Sequence, residues 1–111
     1  MDKLSTFRAI VQRVLAQRAE QTPSIGQVET IPLFDPQSDQ YAVVDFGWDP
    51  TGRVHAVVIH LRLHNGKVWI EADNTEHGIA QDLLDAGIPQ QDIVLAFYRP
   101  KRRQWTEFAV A

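Results

Sequence analysis

The dipeptide Asn65-Gly66 constrains the fold of this chain most, because it separates two runs of strand-forming residues. Both residues tolerate a positive φ, and such a pair is the strongest short-range signal for a β-hairpin. The flanking runs, 53–64 and 67–72, are therefore predicted to be paired strands. A second turn signal, Asp49-Pro50-Thr51-Gly52, follows another predicted strand at 41–48. The sequence thus predicts an antiparallel meander of three strands.

Alternation within the longest predicted strand separates its two faces. Val57, Ile59, Leu61 and Leu63 share one face with His55, and we expect this face to be fully covered. The other face is apolar in its first half and polar in its second half. We therefore expect this second face to be covered only near the start of the strand.

A helix is predicted at residues 2–21, because apolar residues recur there at helical spacing and form one stripe. Asp2 is a candidate N-cap, and Pro23 is the signal that ends the helix. The residues at this spacing are Leu4, Phe7, Val11, Val14, Leu15 and Arg18.

Two further elements are predicted on either side of the meander. Segment 28–34 has an extended character, but Pro32 limits it to an edge strand or an irregular arm. A second helix is predicted at 76–86, with Thr75 as its N-cap and Gly87 in the position of a left-handed C-terminal cap.

The C-terminal part of the sequence predicts two strands around a basic turn. Segment 93–98 is apolar on both faces, which indicates a strand that is central or covered on both sides. A turn is predicted at 99–104, and 105–110 is predicted as a strand that completes the sheet or is buried against a second subunit. The predicted fold class is α+β: a single domain, residues 1–111, with an antiparallel sheet of about five strands on which the N-terminal helix and the second helix pack.

Composition limits the classes of function that fit this chain. The formal net charge is −3, so contact with nucleic acid requires a local basic patch or a partner protein. Cysteine is absent, which excludes a disulfide framework and a thiolate metal site. No run of residues approaches the roughly 20 apolar residues of a membrane span. We expect a cytoplasmic protein with no membrane contact.

The histidines and carboxylates offer little support for a metal site or an active site. His60 and His64 lie about 13 Å apart along the predicted strand, too far for two ligands of one zinc ion, so no metal and no cofactor are predicted. Glu71, Asp73 and Glu76 cluster near His77, and paired carboxylates can perform acid–base chemistry. Asp73 is also a turn former and Glu76 suits the start of a helix, which favours structural roles.

Aromatic and basic residues supply the candidates for contact with other macromolecules. Each of the three tryptophans, Trp48, Trp69 and Trp105, is either a core residue or an interface anchor. We place a partner interface at the C-terminal segment, together with the other two tryptophans; its residues are Trp105, Phe108, Val110, Trp48 and Trp69. The basic cluster is either a solvated turn or a nucleic-acid contact; its residues are Arg99, Lys101, Arg102 and Arg103.

Several short motifs, in order and at matching spacing, resemble the XisI family, the fdxN-element excision controlling factors of cyanobacteria. The resemblance runs nearly end to end. The motifs are Met1-Asp2-Lys3-Leu4, Phe46-Gly47-Trp48, Gly66-Lys67-Val68-Trp69-Ile70, Asn74-Thr75-Glu76-His77-Gly78-Ile79-Ala80, Gly87-Ile88-Pro89-Gln90-Gln91-Asp92-Ile93-Val94-Leu95-Ala96-Phe97 and Thr106-Glu107-Phe108-Ala109-Val110-Ala111.

The resemblance implies an accessory role in programmed DNA rearrangement. It implies an α+β fold, oligomers, and action together with an XisH protein while a separate site-specific recombinase performs strand exchange; DNA would then be contacted indirectly. It supplies no catalytic residues. Our first hypothesis is a non-enzymatic factor that binds an XisH-like protein. The alternatives are direct DNA binding through the 99–103 patch, and an uncharacterised enzyme that uses Glu71, Glu76 or His77.

Overall fold

The hairpin predicted at Asn65-Gly66 is present in the computed structural model, which describes residues 2–21 and 26–111. In this part of the chain, three α-helices and a short 3-10 helix accompany a five-stranded sheet. The elements are α1 (Lys3–Gln21), β1 (Gln27–Asp35), β2 (Gln40–Asp49), β3 (Gly52–His64), β4 (Lys67–Asp73), α2 (Ala80–Asp85), a 3-10 helix (Gln90–Asp92), β5 (Ile93–Leu95) and α3 (Pro100–Arg103).

The predicted α+β class and the number of strands are confirmed, and the sheet has the order β1-β2-β3-β4-β5. The first four strands form antiparallel pairs, whereas β5 pairs parallel to β4. The sheet is therefore mixed rather than wholly antiparallel. The chain between β4 and β5 contains α2, and a crossover of this kind is what a parallel pair requires.

Helix α1 supplies most of the helical side of the core. The Ser5 backbone N–H donates to the Asp2 carboxylate at 2.7 Å, which confirms Asp2 as the N-cap. The predicted end signal at Pro23 lies outside the described residues. Leu4 is exposed, although the stripe predicted it to be buried. The buried helical residues Phe7, Ile10, Val11, Val14, Leu15 and Ala19 pack in one cluster with Tyr41, Val43, Ile59, Leu61, Val68, Ile70 and Leu83.

A β-bulge changes which side chains of β3 are covered. Val43 pairs with Ile59 and Val44 pairs with Val57, so Val58 is the extra residue. Ile59 is fully buried in the core, but Val57 is 46% exposed. The prediction that one face of β3 is fully covered is therefore confirmed for the second half of the strand and wrong at Val57. The second face was expected to be covered near the start of β3, but the start is the less covered end of the strand.

The second helix is shorter than predicted because the segment before it folds as a turn around Asp73. The Asp73 carboxylate accepts the N–H of Thr75 at 3.1 Å and the N–H of Ile79 at 2.7 Å. The Thr75 hydroxyl accepts the N–H of Gly78, whose φ is 77°. Helix α2 consequently begins at Ala80, and Thr75 is a turn residue rather than its N-cap.

The predicted last strand at 105–110 is wrong. Only Ala109 joins the sheet, through an isolated parallel bridge to Val94 and an N–H···O bond to Ile93 of 2.9 Å. Strand β5 ends at Leu95, and the predicted turn at 99–104 contains α3. Ile93 and Val94 are both fully buried, which confirms that β5 is covered on both sides.

Candidate interaction surfaces

One face of β1, β2 and β3 carries a group of exposed apolar side chains, which we call the open face. In β2 the residues Tyr41 and Val43 face the core, so alternation places Val44 and Trp48 on the opposite face. Val44 lies opposite Ile31 of β1 and Val57 of β3, and directly opposed residues share a face. The open face is defined by Ile31, Leu33, Val44, Trp48 and Val57.

The open face is apolar where helices α1 and α2 do not cover the sheet. Leu33 is 59% exposed and Trp48 is 56% exposed, while Ile31 and Val57 are more than one third exposed. Isolated exposed apolar side chains are common on proteins, but a contiguous group of them marks a binding surface. The guanidinium of Arg53 lies 5.6 Å from the centre of the Trp48 ring and forms the polar border of the group at this end.

Trp69 is held by contacts within the chain. The guanidinium carbons of Arg62 and Arg103 lie 4.9 Å and 5.4 Å from its ring centre. Its Nε1–H donates to the carbonyl oxygen of His64 at 3.0 Å, and Arg62 also pairs with Glu71 at 2.7 Å. The Trp69 ring therefore contacts two arginine side chains of the same chain, and little of it is available to a partner.

Arg103 differs from the other residues of the predicted basic cluster. Its guanidinium donates to three backbone carbonyls, those of Tyr98 at 2.9 Å, Ala96 at 3.2 Å and Val110 at 3.3 Å. Arg103 is half-buried, whereas Arg99, Lys101 and Arg102 are exposed. The structure thus gives Arg103 a structural role and leaves three cations on the surface.

Trp105 is the first residue of the C-terminal segment, residues 105–111, and is 87% exposed. Together with Tyr98, Arg102 and Thr106 it lines a shallow pocket. The guanidinium carbon of Arg102 lies 5.0 Å from the centre of the Tyr98 ring. We call these four residues the Trp105 site.

The structure does not bring the five predicted interface residues together. Trp48 lies opposite Arg53 of β3, and Trp69 lies opposite Arg62. Arg53 and Arg62 are nine positions apart along β3, which corresponds to about 30 Å of extended chain. In the C-terminal segment, Phe108 packs against the core and Val110 is exposed.

The carboxylates near His77 are also separated. Glu71 pairs with Arg62, whose neighbours Leu61 and Leu63 point into the core, so the pair lies on the opposite side of the sheet. Glu76 and His77 are exposed and line an open groove on the helical side. The Asp73 carboxylate accepts backbone hydrogen bonds within the turn before α2. Among the described residues, no group of three or more metal-ligating side chains is positioned to hold an ion.

Sequence reasoning missed most of the open face. Trp48 was a candidate, but Ile31, Leu33 and Val57 were not. The alternation of apolar residues at 31 and 33 around Pro32 was a usable signal for an edge strand with one apolar face. Val57 had no such signal, because its exposure depends on the bulge at Val58.

The structure is that of a small α+β protein with two distinguishing exposed surfaces, the apolar open face and the aromatic and basic Trp105 site. The chain belongs to the XisI family, since the family model described as "XisI protein" matches residues 1–110. No significantly similar protein is found among curated protein sequences.

Two solved structures from Anabaena variabilis are similar to this chain over nearly its whole length. One is the fdxN element excision controlling factor XisI, with 40% identity, a TM-score of 0.85, and coverage of 99% of this chain and 100% of the other. The second is a XisI-like protein with 30% identity, a TM-score of 0.90, and coverage of 97% and 99%. In the residues that the structure describes, none of the helices has the length and apolarity needed to cross a bilayer.

Proposed function

We propose that this protein is an accessory factor in the control of DNA element excision, and that it acts by binding a partner protein through the open face. The 40% identical Anabaena variabilis protein is named as an excision controlling factor, which supports the role. The open face supports the mechanism, because exposed apolar side chains on adjacent strands gain free energy when a partner covers them.

The partner that we propose is an XisH-like protein. A sheet face with Leu33, Trp48 and Val57 offers an aromatic side chain at one end and aliphatic side chains on the adjacent strands, and aromatic residues are enriched at interfaces. Arg53 beside Trp48 can contribute a polar contact at the rim. In this arrangement the recombinase performs the chemistry, and the present chain determines whether the partner complex assembles.

The proposal is tested by measuring binding of an XisH-like partner to single-residue variants by isothermal titration calorimetry. Leu33→Lys and Trp48→Lys place a charge at opposite ends of the open face, so we expect each to weaken binding at least about tenfold. Both side chains are already more than half exposed, so the fold should persist, which circular dichroism verifies. Leu4→Lys is the matched control, since Leu4 is an exposed apolar residue on α1.

Two outcomes would contradict this placement. Unchanged binding by both variants would remove the open face from the partner interface. Conversion of a dimer to a monomer by Leu33→Lys, with partner binding intact, would identify the open face as a contact between copies of this chain. Analytical ultracentrifugation distinguishes this second outcome from the expected one.

A further inference from the structure

The Trp105 site presents an exposed aromatic ring on a firmly held turn. The backbone N–H of Trp105 donates to the carbonyl of Arg102 at 3.1 Å, and that of Thr106 donates to Arg103 at 3.2 Å. The Thr106 hydroxyl also donates to the carbonyl of Arg103 at 2.9 Å. The turn is thus fixed by hydrogen bonds, while 87% of Trp105 faces water. Exposing an indole in this way has no benefit for folding, which points to a ligand.

Positive charge surrounds this ring. Arg99, Lys101 and Arg102 are all exposed within six residues of Trp105, and Arg102 lies over the ring of Tyr98. The nearest carboxylate along the chain, Glu107, accepts a hydrogen bond from Gln90 at 3.1 Å. A chain with a net charge of −3 therefore has a locally basic and aromatic surface at this point.

We propose that the Trp105 site binds single-stranded DNA, with one base stacked on Trp105 and the adjacent phosphates contacting Arg99, Lys101 and Arg102. Stacking on an exposed aromatic ring combined with flanking cations is the general mode of single-strand binding. A duplex does not offer a base face for stacking. Helix α3 has only four residues, which is too short to read a major groove as a recognition helix does.

This inference goes beyond the partner contact proposed above and uses different residues. It changes the predicted nucleic-acid contact in two ways. Arg103 leaves the contact set because its guanidinium is bonded to three carbonyls. Trp105 enters the set as the residue that selects single strands. A factor with both surfaces would connect a partner protein to DNA that has been locally opened.

The test is fluorescence anisotropy of a labelled twelve-nucleotide oligothymidylate with the full chain at low salt. Trp105→Ala removes the stacking ring, and we expect the dissociation constant to rise about 5- to 150-fold. Trp48→Ala is the matched control, because Trp48 is another exposed tryptophan and lies at the distant end of the sheet. We expect it to leave the affinity unchanged.

The phosphate contacts have an independent readout in the salt dependence. Each phosphate contact on a single strand contributes a slope of about −0.7 to the logarithm of affinity against the logarithm of salt concentration. The double substitution Lys101→Gln and Arg102→Gln should therefore make the slope shallower by about 1.4. Arg13→Gln, which removes an exposed arginine on α1, should not change it.

Three kinds of result would overturn the inference: no binding, binding without the expected selectivity, and binding of a different class of ligand. The first is the absence of oligothymidylate binding at low salt. The second is equal weakening by Trp105→Ala and Trp48→Ala, or a duplex that binds as tightly as the single strand. The third is displacement of the oligonucleotide by polyglutamate at equal charge concentration, which would identify a site for an acidic peptide. Partner binding measured with Trp105→Ala keeps this result separate from the test of the open face.

Discussion

Gly47 is the residue with the tightest backbone environment in the sheet. Its φ is 140°, and a Cβ atom built at this position would lie 2.0 Å from the carbonyl oxygen of Gln27 and 2.9 Å from the Cα of Val28. Only glycine permits β1 to approach β2 this closely while keeping that φ. The residue therefore determines whether the edge strand that carries Ile31 and Leu33 can pair at all.

We expect Gly47→Ala to lower the free energy of unfolding by about 3 kcal/mol or more, because it combines an unfavourable φ with a collision against the backbone. Gly52→Ala is the matched control. Gly52 has a φ of 136°, and a Cβ there meets no atom within 4 Å, so it should lose only about 1–2 kcal/mol from the φ. Urea unfolding measures the free energy of unfolding of both variants. Equal losses would show that the contact with Gln27 has no energetic role.

Asp39 connects the turn between β1 and β2 to α1. Arg8 donates to both of its carboxylate oxygens, at 2.8 Å and 3.1 Å, and the Tyr41 hydroxyl donates at 2.8 Å. These hydrogen bonds, above all those from Arg8, lower the pKa of Asp39 below its ordinary value of 3.8. The charged form of Asp39 is therefore the form that stabilises the fold.

A carboxyl group whose pKa is lowered on folding stabilises the protein fully above its unfolded pKa, here about 4, and loses this effect as the pH falls through the folded pKa. Asp39→Asn keeps the shape and tolerates the φ of 55° at this position. We expect it to lower the melting temperature by about 5 °C at pH 7. The difference from the parent protein should shrink below pH 4.

The control for this prediction is Asp85→Asn, an exposed carboxylate on α2 that contacts Gln81. Thermal unfolding followed by circular dichroism from pH 3 to pH 7 should show little change for this variant. A difference between Asp39→Asn and the parent protein that is the same at pH 3 and pH 7 would exclude a role for the charge of Asp39.

At the scale of elements, the sequence predicted the parts of the fold that depend on local chemistry. The turns at Asp49–Gly52 and Asn65-Gly66 contain their own conformational signals, so β2, β3 and β4 were predicted within a residue or two of their bounds. The start of α2 was not predicted correctly, because the Asp73 carboxylate accepts a hydrogen bond from the N–H of Ile79, six residues further along the chain. The prediction of a strand at 105–110 was wrong for a similar reason, because hydrogen bonds with residues distant along the chain determine the conformation of this segment.

Arg103 is the residue that holds the C-terminal segment. Its guanidinium donates to the carbonyls of Ala96, Tyr98 and Val110, and its planar face lies over Trp69. A lysine keeps the charge but cannot satisfy three carbonyls in a fixed plane. Arg103→Lys should therefore reduce stability by about 1–3 kcal/mol.

Hydrogen exchange gives a local measurement of this effect. We expect Arg103→Lys to increase exchange of the backbone amides at 105–110, and above all that of Ala109, which donates to Ile93. Arg102→Ala is the control, because the Arg102 side chain is exposed and its guanidinium lies beside the ring of Tyr98. Equal exchange in the two variants would contradict the role given to Arg103.

At the scale of the whole molecule, the two faces of the sheet differ in what covers them. The helical face is covered by α1 and α2, and the C-terminal segment covers the opposite face only near β5, where Val94 is fully buried. The remaining part of that face is the open face. The sequence made Trp48, Trp69 and Trp105 candidates for either the core or an interface, but the open face as a unit depends on the register of three strands and one bulge, which no local pattern encodes.

This division predicts different effects for two changes at the C-terminus. Deletion of residues 105–111 removes the hydrogen bond from Ala109 to Ile93 and the contact of Phe108 with the core, and it uncovers Val94. We expect a loss of about 2–4 kcal/mol in the free energy of unfolding. Trp105→Ala removes a side chain that is 87% exposed, so its effect on stability should stay within about 0.5 kcal/mol.

Urea unfolding of both variants decides how binding experiments on this segment are interpreted. If the deletion destabilises the chain as expected, a loss of partner or DNA binding in the truncated protein reflects damage to β5 as well as loss of a contact. Only Trp105→Ala then reports on the Trp105 site alone. A truncated protein as stable as the full chain would contradict the structural role of the segment.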